Sequence, residues 1–162
     1  MAAAIGSTSS PREADVLQKE LGYDAEVLRK AGPIDEQPRA AAPDGLDVVV
    51  DNVGGEQPKA AIGLARRGAR IALIGTLAGQ LGDSATTEID PHALIAGSIA
   101  LRGAALYDYL DIIPEWTDFF ARALRDGTLT FPRTVLTGLD QAPRALRELV
   151  EGRHLGAVHM EL

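Results

Sequence analysis

Ser7, Ser9 and Arg12 place two hydroxyls and a guanidinium in one short stretch, a donor set that suits a phosphate dianion. The same stretch also reads as an ordinary helix start with a surface arginine. Asn52, Val53 and Gly54 close an apolar, β-branched run, and Gly75 and Thr76 close a second. In open α/β sheets the carboxyl ends of strands are where ligands bind, although glycines also serve simply to end a strand tightly. His154 stands alone after a helical pattern, where histidine commonly caps or faces solvent. Metal chemistry has no support, because His92, His154 and His159 are far apart and show neither H-x-x-x-H nor H-E-x-x-H spacing. Asp44, Asp47 and Asp51 suggest a carboxylate cluster, but strand alternation and solvent-facing turns account for them. Neither Ser84 nor Ser98 sits in a G-x-S-x-G elbow, so acyl transfer lacks a nucleophile.

The chain that must position these groups has 162 residues, of which 46% are apolar, enough for one core and one domain spanning 1–162. Its 16 basic against 23 acidic residues give a net charge of −7, which argues against a nucleic-acid surface. The absence of cysteine removes disulfides, thiolate zinc sites and cysteine nucleophiles together. MAAAIG lacks the basic region and apolar run of a signal peptide, and no stretch is long enough to cross a membrane. A soluble, cytoplasmic domain is expected.

Residues 2–5 read as a short strand followed by a polar turn, and Pro11 then opens a helix that carries Val16, Leu17 and Leu21 and stops at Gly22. Residues 23–28 read as a second strand and 29–43 as a connection carrying some helix. Residues 46–53 are the strongest strand signal, ended by Gly54 and Gly55. A helix from Pro58 to Gly68, a strand over 70–74 and a long loop over 76–90 follow. Asp90 and Pro91 cap and open the next helix, and 98–106 reads as a strand. From Pro114 the residues Trp116, Phe119, Phe120, Ala123 and Leu124 recur on one helical face. Asp140 is expected to cap a last helix, and 157–162 to close as a strand. Continuous apolar strands alternating with helices predict an α/β fold with a parallel sheet.

The succession GLDVVVDNVGGE, RGARIALIGTLAGQ, SIALRGAALYDYL and GLDQAPRALRELVEGRHLGAV resembles the medium-chain dehydrogenase/reductase superfamily, most nearly its zinc-free, NADPH-dependent enone reductases of the prostaglandin reductase type. The resemblance runs from Ile5 to the C-terminus. It implies an incomplete Rossmann-type, doubly wound, mostly parallel sheet that lacks its first strand–glycine loop–helix unit as well as the family's GroES-like domain. No G-x-G-x-x-G follows a strand here. A missing central strand would leave two edges unpaired, so either the remaining strands close up or another chain fills the space.

The resemblance also assigns roles. Ser7, Ser9 and Arg12 fall where the family reads the adenosine ribose and its 2′-phosphate. Asn52, Val53 and Gly54 match the turn beside the cofactor, and Gly75 and Thr76 the strand end lining the nicotinamide ribose. Tyr109 falls where some relatives carry a tyrosine near the substrate carbonyl, and a phenol there could hydrogen-bond a developing enolate. Its neighbour Tyr107 would share its side if both lay in a strand. His154 lies in a segment that approaches the nicotinamide, but Ala157 stands where relatives carry lysine. The family's cofactor is NADP(H), without metal, and its retention by this chain alone is expected to be weak or lost. Three functions follow: the cofactor-binding part of an enone reductase acting on a small molecule with a complementary chain; a cofactor-independent isomerase, dehydratase or cyclase using the old nicotinamide cleft; or a non-catalytic module. Family members commonly dimerise through the strand at 98–107, so a homodimer is expected.

Overall fold

Strands separated by helical crossovers pair in parallel rather than as hairpins. In the computed structural model, which describes residues 3–29, 31–32, 36–80, 82 and 86–162, every described strand pair is parallel. Ser84, residue 2 of the expected first strand and parts of the connections at 29–43 and 76–90 lie outside the described residues. The elements follow as β1 (Ile5–Thr8), α1 (Pro11–Lys19), β2 (Ala25–Leu28), α2 (Glu36–Ala41), β3 (Leu46–Asp51), α3 (Glu56–Leu64), β4 (Ala65–Leu73), α4 (Leu77–Gln80), α5 (Pro91–Gly97), β5 (Ala100–Gly103), α6 (Ile113–Arg125), β6 (Arg133–Thr137), α7 (Ala142–Val150) and β7 (Ala157–Glu161). This is the α/β alternation expected from the sequence.

The strands do not form one sheet. β1 pairs with β2, β3–β4–β5 form a second sheet, and β6 pairs with β7 in a third. The two edges anticipated around a missing central strand have therefore not closed up: β1 and β3 lie in different sheets, with a cavity of about 190 Å³ between them.

Several expected boundaries move, each for a physical reason. The first strand is displaced, because Gly6, Ser7 and Thr8, expected as a turn, pair with Glu26, Val27 and Leu28. Gly6 suits the close packing there, since a Cβ would come within 2.8 Å of Leu17 Cδ1 on α1 and would have to push that side-chain tip aside. α3 begins before Pro58 and gives way at Ala65 to β4, so Arg66, Arg67 and Gly68 are strand residues rather than a helix end. The expected strand at 98–106 is short: Ala104 N still donates to Leu73 O, but 106–112 then coil into a 3₁₀ turn. Asp140 does not cap α7; it sits in the preceding 3₁₀ turn and accepts from Gln141 Nε2 at 2.9 Å. Ser10 and Asp90 do cap their helices, accepting from Glu13 N at 3.4 Å and His92 N at 2.8 Å, each with proline in the first turn.

The core lies where α3 covers β4. Ala61, Ile62 and Leu64 on the helix are buried with Ala69 and Ile71 on the strand. Full burial of an isoleucine such as Ile71 contributes about 2–3 kcal/mol. The apolar face of α6 is different: Trp116 and Phe119 are each 57% exposed, and only Ala123 is buried on that helix. Trp116 stacks on Phe120, which meets Phe131 edge-on. Among the described residues no helix is long and apolar enough to cross a membrane.

Candidate functional site

The sequence-selected residues fall into separate groups, each built by a strand end and the turn that follows. Ser7 lies within β1 rather than after it, and its side chain is exposed. Arg29, just past the end of β2, donates to the Ser7 carbonyl at 3.0 Å and to Ser7 Oγ at 3.2 Å. The buried Thr8 hydroxyl donates to Glu13 and accepts from Ser10 N, which fixes the turn into α1. Ser9 is half-buried in that turn, and Arg12 is exposed in the first turn of α1.

The second group joins two strand ends. Asp51 ends β3, and one of its carboxylate oxygens accepts from Gly54 N at 2.8 Å. It is 6% exposed at the end of that strand, whereas Asp44 and Asp47 are exposed, and Asp47 meets Arg66 at 3.3 Å. The turn after β4 folds onto the turn after β3, with Leu77 N donating to Asn52 O at 3.2 Å and Ala78 N to Val53 O at 3.0 Å. Gly75 permits this approach: a Cβ there would stand 2.0 Å from Asn52 Oδ1. Asn52, Val53, Gly54, Gly75 and Thr76 are thus brought together as expected of adjacent strand ends.

Arg29 links these two groups electrostatically. Burial draws its guanidinium pKa below the ordinary arginine value, while the carboxylates of Glu13 and Asp51 act in the opposite direction. Sequence reasoning missed that Arg29 comes within electrostatic reach of Asp51. The one available signal was an aspartate closing an apolar strand just before Asn-Val-Gly-Gly, where a carboxylate can cap the turn.

Tyr107 and Tyr109 both lie in the 3₁₀ turn over 106–112. Tyr109 is half-buried under the Arg102 guanidinium, 5.6 Å from its ring centre, whereas Tyr107 is 81% exposed. Because neither lies in a strand, the shared side expected from alternation does not apply. Among the described residues no hydrogen bond or ring contact joins Tyr109 or His154 to Asn52, Gly75 or Thr76.

His154 instead lies beside Arg12. Both line a depression of about 420 Å³ together with Arg133 and Arg153, a cationic cluster in an acidic chain. His154 Nε2 is 3.0 Å from Glu148 Oε2, and Arg144 Nε is 2.9 Å from Glu148 Oε1. The Glu148 carboxyl is held below the usual glutamate range, first by the Arg144 hydrogen bond, with burial opposing it and the Arg144 charge and His154 adding to it. A carboxyl depressed on folding contributes stability above its unfolded pKa and loses it as pH falls through the folded value. Glu148→Gln is therefore expected to melt below the parent at neutral pH and together with it in strong acid, as read by melting temperature against pH.

The amino-terminal three quarters of the chain, residues 2–124, match the family model described as zinc-binding dehydrogenase. The chain belongs to this family. It is 28% identical to (+)-pulegone reductase of Mentha piperita over 153 residues, covering 94% of this chain and 45% of that protein. It is likewise 28% identical to the NADP(+)-dependent 2-alkenal reductase of Nicotiana tabacum over 157 residues, with the same coverage of 94% and 45%. The crystal structure of CurA from Vibrio vulnificus in complex with NADPH matches with a TM-score of 0.82 and 25% identity, over 98% of this chain and 49% of that one. The chain spans about half the length of the curated relatives it matches. The incomplete Rossmann-type reading of the fold and the medium-chain dehydrogenase/reductase resemblance both hold. The family name implies zinc, but among the described residues no three histidine, aspartate or glutamate side chains converge as ligands.

Proposed function

We propose that this chain is the NADP(H)-binding part of an oxidoreductase acting on α,β-unsaturated carbonyl compounds, and that turnover needs a polypeptide part beyond these residues. The observation that carries the reading is the likeness, over nearly the whole chain, to a structure that holds NADPH. The named activities of the pulegone and alkenal reductases support the substrate class. The chain's own residues fit the cofactor's charge: Ser7, Ser9, Arg12 and Arg29 cluster around the β1 end, and Arg133 and Arg153 share the depression with Arg12. Hydroxyls and guanidiniums of this kind hold a phosphate dianion by charge-assisted bonds. The bound cofactor would supply the hydride. Asn52 and Thr76 lie on the paired strand ends where its ribose would rest, and Tyr109 would donate to the substrate oxygen. The exposed outer edge of β5 and the exposed Leu106 and Tyr107 beyond it support a homodimer through this region.

Calorimetric titration with NADPH and NADH tests the reading. NADPH is expected to bind at least about tenfold more tightly, the worth of one good guanidinium–phosphate contact. Arg12→Ala should erase that preference. Equal affinities for the two nucleotides, or no heat with either at millimolar concentration, would overturn it.

A further inference from the structure

We propose that His154 sets the anion affinity of the cationic depression through its own protonation. The imidazolium adds a positive charge beside Arg12, Arg133 and Arg153, so a phosphate dianion binds more tightly as pH falls through the histidine range. The inference rests on the cofactor reading for the identity of that phosphate. The site itself is built by three distant segments. β6 and β7 run in parallel with Arg133 opposite Ala157, which brings the turn before β7 to the start of β6. The turn after α7 packs on the start of α1, where a Cβ on Gly152 would stand 3.9 Å from Ser10 Cβ. Arg12, Arg133, Thr134, Arg153 and His154 thereby line one depression.

Charged groups meet this imidazole from every element packed against it. Its side chain is 11% exposed, and Nε2 is held at 3.0 Å by Glu148 on α7, whose other oxygen is taken by Arg144. That carboxyl is drawn below the ordinary glutamate range by Arg144 first, with His154 adding to it, so it stays ionised where histidine titrates. α1 contributes Arg12 and β6 contributes Arg133, and among the described residues neither has an ion pair. Arg153 pairs with Glu151 at 2.7 Å, but both are well exposed and screened by solvent. Two guanidiniums thus stand without a carboxylate in a chain of net charge −7.

The Glu148 contact also decides which ring nitrogen meets a ligand. An ionised carboxylate only accepts, so Nε2 carries its hydrogen in either protonation state. Nδ1 makes no hydrogen bond among the described residues. It is a bare acceptor in the neutral ring and an N–H donor in the charged one. Protonation therefore replaces a repelling lone pair by a donor and adds a charge, and an anion gains from both. A hydroxyl gains little, so the preference for NADPH over NADH should grow in the same direction. A phosphate monoester itself takes up a proton at about pH 6, which sets the lower limit of that gain. Half-buried Thr134 offers a hydroxyl that is the same at every pH, and neither His92 nor His159 lines the depression.

Inorganic sulfate is the probe, because it stays a dianion across this range and isolates the protein's own proton. Its affinity is read from the NMR shifts of the Thr134 and Arg153 amides at constant ionic strength. From about pH 8 to about pH 5.5 it is expected to rise at least about threefold, the worth of one partly exposed charge pair. His154→Asn should remove the slope, and His154→Lys, charged throughout, should bind tightly at both ends. NADP⁺ is expected to displace the sulfate more effectively than NAD⁺. A flat profile in the parent, an unchanged slope in His154→Asn, no sulfate-dependent shift at either pH, or sulfate that NADP⁺ leaves in place would each overturn the proposal. The parent's profile needs no substitution, so a variant that fails to fold does not shield the idea. The sulfate profile uses no nucleotide, so its failure leaves the cofactor reading standing. A proton-linked sulfate site that NADP⁺ leaves undisturbed marks failure of the cofactor reading instead.

Discussion

Asp51→Ala is expected to destabilise the fold by about 2 kcal/mol, the cost of leaving a buried N–H without its acceptor. The carboxylate takes the Gly54 N–H at 2.8 Å in a turn where Asp51 and Gly54 are both buried. The loss of its charge adds a smaller term. Arg29 is half-buried and faces both Glu13 and Asp51, so it retains one counter-charge and part of its hydration, and this contribution is discounted accordingly. Asp51→Asn separates the two effects, because an amide oxygen still accepts from Gly54 while the charge is gone. For a chain of this size the alanine variant should melt roughly 4–8 °C lower, with the asparagine variant much nearer the parent. Equal losses for the two variants would place the effect in the charge rather than in the turn. Because Asn52 and Val53 lie in the same turn and accept the Leu77 and Ala78 amides, the alanine variant should also loosen the paired strand ends.

How much of this was legible in the sequence depended on whether a residue's partner was local. β3 announced itself because LDVVVD carries its β-branched run and its terminator together. α1 and α5 were legible because cap and proline stand side by side at Ser10-Pro11 and Asp90-Pro91. β1 was misplaced because Gly6, Ser7 and Thr8 have turn chemistry, and only pairing with β2, some twenty residues away, makes them a strand. Arg66, Arg67 and Gly68 lack strand propensity for the same reason: β4 is the central strand of its sheet, with a register shift against β3 between Leu46 and Val48. β6 escaped notice because RTVLT is short and its pairing partner is the distant β7.

The site was legible where strand ends carry it and illegible where distant segments meet. Asn52 and Gly75 could be named from the runs they close. Their mutual contact, the approach of Arg29 to Asp51, and the assembly of Arg12 with Arg133, Arg153 and His154 come from folding alone. The separation of β1 from β3 into different sheets was likewise beyond any local propensity.

Gly156→Ala is expected to cost about 3 kcal/mol, combining steric overlap with a left-handed backbone that an L side chain resists. Gly156 has φ +71°, and a Cβ there would stand 1.9 Å from the Pro132 carbonyl oxygen and 2.5 Å from its carbon. That oxygen is the acceptor for Ala157 N at 3.1 Å, the bond that opens the β6–β7 pairing. The neighbour is backbone, so relief requires separating the strands rather than turning a side chain. Since β6 and β7 form a sheet of their own, the damage should appear there first, as faster amide exchange over Arg133–Thr137 and Ala157–Glu161. Gly63→Ala is the matched control. Gly63 lies inside α3 with nothing within 4 Å of its added Cβ, so alanine there should stabilise by about 0.5–1 kcal/mol through helix propensity. Opposite signs for the same chemical change at two glycines would tie the loss to the Pro132 carbonyl. If Gly156→Ala left exchange in β6 and β7 unchanged, the close approach of these two strands would have to be abandoned.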